Sequence, residues 1–450
     1  MKAVKLPLAC QRRSQYYWRP TIRQLSSSHR SFHPSDLTGF SEMSTLHLIG
    51  VSVFYKLVSW RSFVDTVTNL LTDKRLNHGI VVKALKQSIK FTVFKFFTGG
   101  ETFHECENSV ISLKKHHNVN TILDHSTEES ESEGAMDSNL KCKIELLREI
   151  SASRVSSHVK FIPIKLTGLV SSKVLETITK FQEGNSSRSS SHRTGAKRIE
   201  DILNEDELIA YHAGISRIKQ LCSVCRTLQI GILLDAEQSF RQPGIEYMYK
   251  AIAREFNKVN PVIWNTYQMY LTRTTTALQD DLNEAKKDGY ILACKLVRGA
   301  YMKSETNKAK ECSYTNPLCS SKDTTDENYN RAIEQLVNEI STSDSKSISV
   351  FVATHNRQSI DYTIELMKKH NLPSHHDAIH FAQIKGMSDH ITYALGQGKY
   401  NTYKLVPYGA FEEILPWLLR RLDENQDIFG AMQRELHLYN AELRRRLRLF

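Results

Sequence analysis

The segment Ile230-Gly-Ile-Leu-Leu-Asp235 is a short apolar run that ends on a carboxylate. It lacks the strict polar alternation of a strand with one face in water, and this pattern is typical of a parallel strand covered by helices. Seven other runs rich in Val, Ile and Leu share the pattern. The eight runs span residues 119–123, 159–166, 230–235, 262–271, 291–297, 348–354, 378–384 and 403–407.

Helical patterns separate these runs, and several intervals have the length of about 25–35 residues that one strand-helix unit needs. Eight such units predict an α/β fold, a distorted (βα)8 barrel over residues 116–443, with a doubly wound sheet as the alternative. A helical N-terminal region is expected over 44–115, and a last helix over the barrel mouth. The longer intervals contain inserts, which are a low-complexity stretch at 184–198, an acidic stretch at 126–139 and a polar loop at 303–328.

The chain has 450 residues and a formal net charge of +11, but this charge lies at the two ends. Residues 1–35 contain seven Lys or Arg and no acid, and the tail 444–450 contains four Arg and no acid. The body between them has 49 basic and 49 acidic residues. Because no basic stripe remains for a phosphate backbone, nucleic acid is not an expected partner.

The first 35 residues are basic, rich in serine and free of acid, which favours a mitochondrial transit peptide over a disordered basic tail. The apolar run 46–60 is shorter than the roughly 20 residues of a membrane span, so no transmembrane helix is predicted. Cys222 and Cys225 form the one close cysteine pair. No second ligand pair follows, so packing is favoured over zinc and no metal site is predicted.

Polar residues stand at or just after the ends of seven of the eight runs, where a barrel places its active site. They are Lys165, Asp235-Ala236-Glu237, Gln268, Lys295 with Arg298, Thr354-His355-Asn356, Gln383 and Tyr408. Seven strands that converge in this way predict a pocket rich in hydrogen-bond donors with few carboxylates. Such a pocket suits an anionic ligand together with a polar cofactor.

An adjacent arginine pair, Arg420-Arg421, follows the last run within an apolar helical pattern. Two neighbouring guanidiniums repel each other, and their desolvation is costly unless an anion completes the site. Arginine binds a carboxylate bidentately, so this helix is a candidate carboxylate site. The alternative is a solvated helix face on which Arg420 and Glu424 form an i, i+4 pair.

Together these motifs resemble the proline dehydrogenase family, and they occur in the family's order over residues 100–440. There are seven such motifs along the chain. They are Phe161-Ile-Pro-Ile-Lys165, Leu234-Asp235-Ala236-Glu237, Thr266-Tyr-Gln268, Lys295-Leu-Val-Arg298-Gly299-Ala300-Tyr301, Ala353-Thr354-His355-Asn356, Gln383-Ile384-Lys-Gly386 and Arg420-Arg421. The resemblance is to the eukaryotic mitochondrial branch, of fungal type, and it implies a (βα)8 barrel that carries FAD. No G-x-G-x-x-G follows a strand, so a Rossmann-type cofactor site is not indicated.

The resemblance also implies roles for individual residues. The proline carboxylate would be held by Lys165, Arg420 and Arg421, and the pyrrolidine ring would be walled by Ile384 and Tyr408. Asp235 would orient this cationic cluster. Lys295 lies where the family places a basic residue, commonly arginine, beside the flavin N5 edge, where a cation stabilises reduced flavin. The remaining implied FAD contacts are Ala236, Gln268, Arg298, Gly299, Ala300, Thr354, His355, Gln383 and Glu424.

The implied reaction is hydride transfer from C5 of L-proline to flavin N5, which gives 1-pyrroline-5-carboxylate and reduced FAD. The resemblance further implies that ubiquinone accepts the electrons and that the protein associates peripherally with the inner mitochondrial membrane on its matrix side. The segment 46–71 and the tail 444–448 are candidate membrane contacts, although cations at a helix C-terminus explain the tail equally well. Hydroxyproline dehydrogenase is the alternative activity, and a catalytically silent paralogue is a third possibility.

Overall fold

The computed structural model describes residues 43–58, 66–67, 69, 71, 79–125, 129–186, 199–342, 346–423 and 426–447. Eight parallel strands close into a barrel in the order β1-β2-β3-β4-β5-β6-β7-β8. They are β1 Asn120–His125, β2 Val159–Ile164, β3 Gly231–Leu234, β4 Ile263–Gln268, β5 Leu292–Val297, β6 Ile348–Ala353, β7 Ile379–Ile384 and β8 Thr402–Tyr408. The predicted (βα)8 barrel is therefore confirmed, and the doubly wound sheet is excluded.

The barrel closes where β1 pairs with β8, from Asn120 opposite Tyr403 to His125 opposite Tyr408. Each predicted run overlaps one strand, and the ends differ by at most three residues. The largest differences are at β1, which includes Asp124 and His125, and at β4, which ends at Gln268. Because β1 is longer than its predicted run, its last polar residues also reach the barrel mouth.

A ring of apolar side chains fills the barrel interior. These residues are Ile122, Phe161, Leu233, Trp264, Ala293, Phe351, Ala382 and Tyr403, one from each strand. The aromatic members meet edge to face, with Phe161 at 5.5 Å from Trp264 and 4.9 Å from Phe351 between ring centroids. Edge-to-face pairs are favourable for aromatic rings. The interior is therefore a packed floor beneath the mouth and not a channel.

Helices surround the barrel and pack on the outer faces of the strands through a large apolar layer. Those of the barrel are Glu133–Ala152, Ser172–Ser186, Glu205–Leu228, Gln242–Phe256, Thr274–Asp288, Met302–Glu311, Lys322–Thr342, Arg357–Lys369 and Asp389–Gln397. Local chemistry fixes their ends. The side chain of Asn204 accepts from the Glu207 N–H and Glu207 accepts from the Asn204 N–H, which is a capping box. Gly289 ends Thr274–Asp288 in a left-handed conformation.

The polar segment 303–328 was predicted as a loop, and this prediction is wrong. Most of it belongs to the helices Met302–Glu311 and Lys322–Thr342. In the second helix Tyr329, Ile333 and Leu336 are buried against the barrel. The sequence in this region is polar overall, but its few apolar residues recur at helical spacing and cover β5 and β6.

A second apolar core joins the two ends of the described chain. The N-terminal helices are Thr45–Val58, Ile80–Ile89, which continues through a π-helical turn at Lys90–Phe94 into Lys95–Phe97, and Phe103–His117. The C-terminal helices are Phe411–Asp423 and Gln426–Leu447. Buried residues of both groups form one cluster that includes Leu48, Tyr55, Phe97, Leu415 and Tyr439. The helix after β8 is thus packed against the N-terminal helices.

Several sequence predictions fall on residues outside this description. Residues 1–35, residues 187–198 within the low-complexity insert, and Glu424 lie outside the described residues.

In the tail, Arg445 and Arg446 both contact the buried carboxylate of Glu442, at 2.7 Å each. Among the described helices none is long and apolar enough to cross a membrane. The described residues also include no group of three or more His, Cys, Asp or Glu placed to hold a metal ion.

Candidate active site at the barrel mouth

Four charged residues surround the mouth on the inner face of the barrel. Side chains two positions apart on a strand point to the same side. Asp124, Asp235 and Lys295 each lie two positions beyond an interior residue, and Lys165 lies four beyond Phe161. Their strands β1, β2, β3 and β5 follow one another around the barrel with only β4 between the last two. The charges therefore alternate in sign around this part of the mouth.

An ion pair joins two of the predicted site residues directly. The ammonium of Lys295 donates to Oδ1 of Asp235 at 2.7 Å. The side chain of Lys295 is 11% exposed, while that of Asp235 is 37% exposed. The lysine is thus the more buried partner, and the carboxylate of Asp235 is the more accessible one at the mouth. An ammonium in such a pair has a defined position, which is what a group beside a reacting atom needs.

Asp124 is a charged residue of the mouth that sequence reasoning missed. Burial raises the pKa of the Asp124 carboxyl to about 6, the negative charge of Asp235 adds to the rise, and Lys143, Lys165 and Lys295 oppose it. These influences place Asp124 among the same charges. A signal was available, because Asp124 follows its apolar run directly, as Asp235 follows another. The predicted run ends at Leu123, two residues before the end of β1.

Lys143 is a buried cation beneath the same edge of the mouth. It lies on the helix Glu133–Ala152, is 2% exposed, and donates to the His125 carbonyl at 2.5 Å. Burial lowers the pKa of the Lys143 ammonium, although Asp124 and Asp235 act in the opposite direction. Burial also lowers the pKa of the neighbouring His125 imidazole. The sequence offers no signal for Lys143, since a lysine in an amphipathic helix usually faces solvent.

Gln268 is positioned by the backbone of the preceding βα loop. Its Nε2 donates to the Glu237 carbonyl at 2.8 Å, and Gln268 is 3% exposed. The Glu237 carboxylate accepts from the N–H and the hydroxyl of Thr167 at 3.2 and 3.0 Å. Burial raises the pKa of Glu237, while the Thr167 bonds oppose this rise. These contacts lock together the ends of β2, β3 and β4.

A second polar group lies at the ends of β5, β6 and β7 and brings together three predicted cofactor residues. Arg298 donates to the Thr354 hydroxyl at 2.6 Å, and Gln383 Nε2 donates to the Thr354 carbonyl at 3.1 Å. Arg298 also donates to Asp326 at 2.6 Å and lies over the Tyr329 ring, 4.5 Å from its centroid. Its Nη2 also donates to the Ser359 hydroxyl at 3.0 Å, so these bonds use three of the five N–H donors of the guanidinium. The cation is rigidly placed and can still face an anion.

Gly299 gives this group a backbone that only glycine suits. Its φ is +141°, and a Cβ added there would overlap the Tyr270 ring. Gly299 and Ala300 are both partly exposed, as are Ala236 at the end of β3 and His355 at the end of β6. A bare backbone next to partly exposed donors forms a cradle that an extended polar ligand can approach closely.

Two apolar residues face each other at the β7–β8 side of the mouth. Ile384 and Leu405 are register partners, and each lies two positions beyond an interior residue of its strand. Tyr408 has the opposite parity. Its ring is buried between the barrel and the outer helices, 4.9 Å from the His125 ring. The structure therefore brings Leu405, and not Tyr408, beside Ile384, because only every second residue of β8 faces inward.

The arginine pair lies on the helix that follows β8. Arg420 and Arg421 belong to the helix Phe411–Asp423, but their side chains lie outside the described part of the structure, as does Glu424. The helix begins three residues after the C-terminal end of β8, which is the end of the barrel where the four charged residues of the mouth lie. The start of this helix therefore lies at the C-terminal end of the barrel.

Comparisons with known proteins agree with this geometry. The family model described as Proline dehydrogenase matches residues 106–434, which is more than half of the chain. The chain is 32% identical to "Proline dehydrogenase 1, mitochondrial" of Dictyostelium discoideum, over 81% of this chain and 67% of that protein. It is 28% identical to "Hydroxyproline dehydrogenase" of Bos taurus, over 83% of this chain and 87% of that protein.

Among solved structures, the chain is similar to proline utilization A (PutA) from Bdellovibrio bacteriovorus inactivated by N-propargylglycine. The TM-score is 0.67 at 17% identity, over 88% of this chain and 41% of that one. The chain also spans only 35% of the Drosophila melanogaster "Proline dehydrogenase 1, mitochondrial", to which it is 35% identical over 52% of its own length. Because the identity to PutA is only 17%, that similarity shows the barrel fold alone.

Proposed function

The chain belongs to the proline dehydrogenase family of oxidoreductases, and on this premise we propose that it oxidises L-proline to 1-pyrroline-5-carboxylate with FAD as its cofactor. The observation that carries the proposal is the fixed Lys295–Asp235 pair at 2.7 Å, which lies in the same mouth as a rigid Arg298–Thr354 group. The first group fixes a cation at the place proposed for hydride transfer, and the second offers donors for a polyanionic cofactor.

The donor set of the mouth fits FAD. Lys295 would lie beside the flavin N5 edge, Gln268 would meet the pyrimidine edge, and Arg298 with the Gly299–Ala300 backbone would meet the diphosphate and ribityl chain. The remaining contacts would come from Thr354, His355, Gln383, Ala236 and Glu424. When bound, FAD supplies the hydride acceptor for oxidation at C5 of proline.

The chain's own residues bind and orient the substrate. Lys165, Arg420 and Arg421 hold the carboxylate, and Ile384 with Leu405 walls the pyrrolidine ring. Asp235 keeps the Lys295 ammonium in place beside the cofactor. The proline nitrogen must be neutral when hydride leaves, since its lone pair stabilises the developing iminium. A cluster of cations favours that neutral amine electrostatically, and Asp124 and Asp235 set the local balance of charge.

The Gly299 cradle gives one test of the cofactor site. Replacing Gly299 with alanine is expected to lower the free energy of unfolding by about 2–4 kcal/mol and to reduce the FAD content of the purified protein. The added methyl group would require both a disfavoured φ and a shift of the Tyr270 ring. Thermal unfolding and the ratio of flavin to protein absorbance measure the two effects.

Gly289→Ala is the matched control for this prediction. Gly289 also has a positive φ, of +65°, but a Cβ there meets nothing within 4 Å. The control should lose only about 1 kcal/mol, the usual cost of a left-handed alanine, and should retain its FAD. If Gly299→Ala keeps a full complement of FAD, the cradle is not part of the cofactor site.

Oxidation of trans-4-hydroxy-L-proline is the second candidate function. The similarity to the bovine hydroxyproline dehydrogenase favours it, because the chain spans 87% of that protein. The apolar pair Ile384 and Leu405 argues for plain proline, because it offers no partner to a ring hydroxyl. The ratio of kcat/KM for the two substrates decides between them. A ratio in favour of hydroxyproline would replace the proposed substrate.

Ubiquinone is the proposed electron acceptor, with the matrix side of the inner mitochondrial membrane as the location. Relatives of the chain are named mitochondrial, and residues 1–35 have the composition of a transit peptide. Exposed apolar residues on the helix Thr45–Val58 support membrane contact, with Leu46, Ile49 and Val53 exposed by 82, 41 and 53%. Proline-dependent reduction of a short-chain ubiquinone analogue tests the acceptor, and activity with artificial dyes alone would contradict it.

A further inference from the structure

The helix that carries Arg420 and Arg421 begins without a capping residue of its own. The residues before Phe411 are Gly409 and Ala410, and neither has a side-chain oxygen. The first N–H groups of a helix need acceptors from outside the helix, and a Ser, Thr, Asp or Asn at the N-cap usually provides one. This helix therefore depends on another part of the chain for that acceptor.

Glu101, in the N-terminal region, supplies the acceptor for the first N–H group of this helix. Its Oε1 accepts from the Phe411 N–H at 3.0 Å, across a sequence separation of 310 residues. A carboxylate at this position also interacts favourably with the positive end of the helix dipole. The hydrogen bond to Lys90, followed by the bond from Phe411, lowers the pKa of Glu101, so the carboxylate is ionised at neutral pH.

Glu101 is itself held in position. Lys90 forms an ion pair with Oε2 of Glu101 at 2.5 Å. The backbone N–H of Glu101 donates to the carboxylate of Glu105 at 2.8 Å. The backbone beside it extends the barrel edge, since Gly99 donates to the Pro407 carbonyl at 2.8 Å and Gly409 donates to the Gly100 carbonyl at 3.2 Å. The capping carboxylate is thus aligned with the end of β8, from which the helix departs.

Further contacts fasten the first turn of the same helix to the helix Ile80–Ile89 and its π-helical continuation. Lys86 pairs with Glu412 at 3.0 Å, and the Phe94 ring lies 5.5 Å from the Phe411 ring. Farther along, Ile414 and Leu418 are buried in the cluster that joins the N-terminal and C-terminal helices. The N-terminal region therefore fixes both the start and the apolar face of this helix.

We propose that Glu101 is a positioning residue for substrate binding, because it caps the helix that bears the arginine pair and so fixes where the two guanidiniums meet the substrate carboxylate. This inference rests on the proposed function, since it assigns the carboxylate to Arg420 and Arg421. It gives the N-terminal helical region a role in affinity for the substrate. Glu101 acts through the helix and does not touch the substrate.

The test compares Glu101→Ala and Glu101→Gln with Asn204→Ala in the full chain with FAD bound. Asn204 caps the helix Glu205–Leu228, which carries no proposed site residue, so its replacement removes a cap without touching the mouth. Glu101→Ala is expected to raise the KM for proline about threefold to tenfold, the factor to which a lost cap corresponds, with a smaller change in kcat and unchanged FAD content. Glu101→Gln keeps an acceptor oxygen and should show a smaller rise.

Asn204→Ala should lower the melting temperature and leave the KM unchanged. Hydrogen–deuterium exchange provides a readout that does not depend on activity. Amides of Phe411–Asp423 should exchange faster in Glu101→Ala and not in Asn204→Ala. Unchanged exchange in Glu101→Ala, or a KM equal to that of the parent, would overturn the proposal. If the parent itself does not oxidise proline, the proposed function fails, and the exchange result still decides whether Glu101 caps the helix.

Discussion

Replacing Arg421 with methionine is expected to raise the KM for L-proline about a hundredfold while FAD stays bound, since one charged carboxylate contact contributes about 2–3 kcal/mol. Methionine keeps the unbranched apolar stem of the side chain but removes the guanidinium. The carboxylate does not change during hydride transfer, so its binding contributes equally to the ground state and the transition state. The loss should therefore affect KM much more than kcat.

Arg445→Met is the matched control. Arg445 lies on the helix Gln426–Leu447, where it pairs with Glu442 and its side chain is 61% exposed. The same substitution there removes a paired arginine of the C-terminal region but not one of the proposed substrate contacts. Steady-state kinetics and the flavin absorbance of both variants make the comparison. Unchanged proline kinetics in Arg421→Met would remove the carboxylate assignment.

The second large effect is expected from Asp235→Asn, which should lower kcat/KM for proline by about a hundredfold, or roughly 3 kcal/mol of transition-state stabilisation. The asparagine has nearly the same shape, but it no longer carries the charge that holds Lys295 at 2.7 Å. A mostly buried ammonium without its counter-charge changes position or protonation state. Both changes remove a fixed cation from the edge of the cofactor.

Asp288→Asn controls for the loss of an aspartate ion pair as such. Asp288 accepts from Arg254 at 2.7 Å at the end of the helix Thr274–Asp288, outside the barrel mouth. That variant should keep its kcat/KM within about twofold, as a surface pair contributes little. Equal activity of Asp235→Asn and the parent would show that the Lys295–Asp235 pair is structural only.

The barrel could be predicted from the sequence because the signal is repeated eight times. Most strand residues are buried on both faces, so each strand appears as a run rich in apolar residues without strict polar alternation, and the spacing of the runs predicts their connection by helices. Two of the polar residues at the ends of these runs also lie together, since Asp235 and Lys295 form a direct ion pair. Periodicity and position along a strand are local properties, so they can be read directly from the sequence.

The features that were missed depend on facts that a sequence does not state. Asp124 lies outside a predicted run that ends two residues before the end of β1. Tyr408 is predicted in the mouth only if the alternation of β8 is not applied to its last residues. Lys143 reads as a surface lysine of an amphipathic helix, yet it is buried beneath β1. The Glu101 cap joins residues 310 positions apart. Such contacts follow only from the tertiary fold.

The most direct test of the central claim is an absorbance spectrum of the protein expressed without residues 1–35, before and after anaerobic addition of L-proline. We expect flavin bands at about 380 and 450 nm that lose intensity when proline is added, because a bound flavin loses these bands on reduction. Preferential bleaching by trans-4-hydroxy-L-proline would transfer the assignment to the alternative substrate. A folded protein that holds FAD but keeps its bands with both substrates would contradict the account.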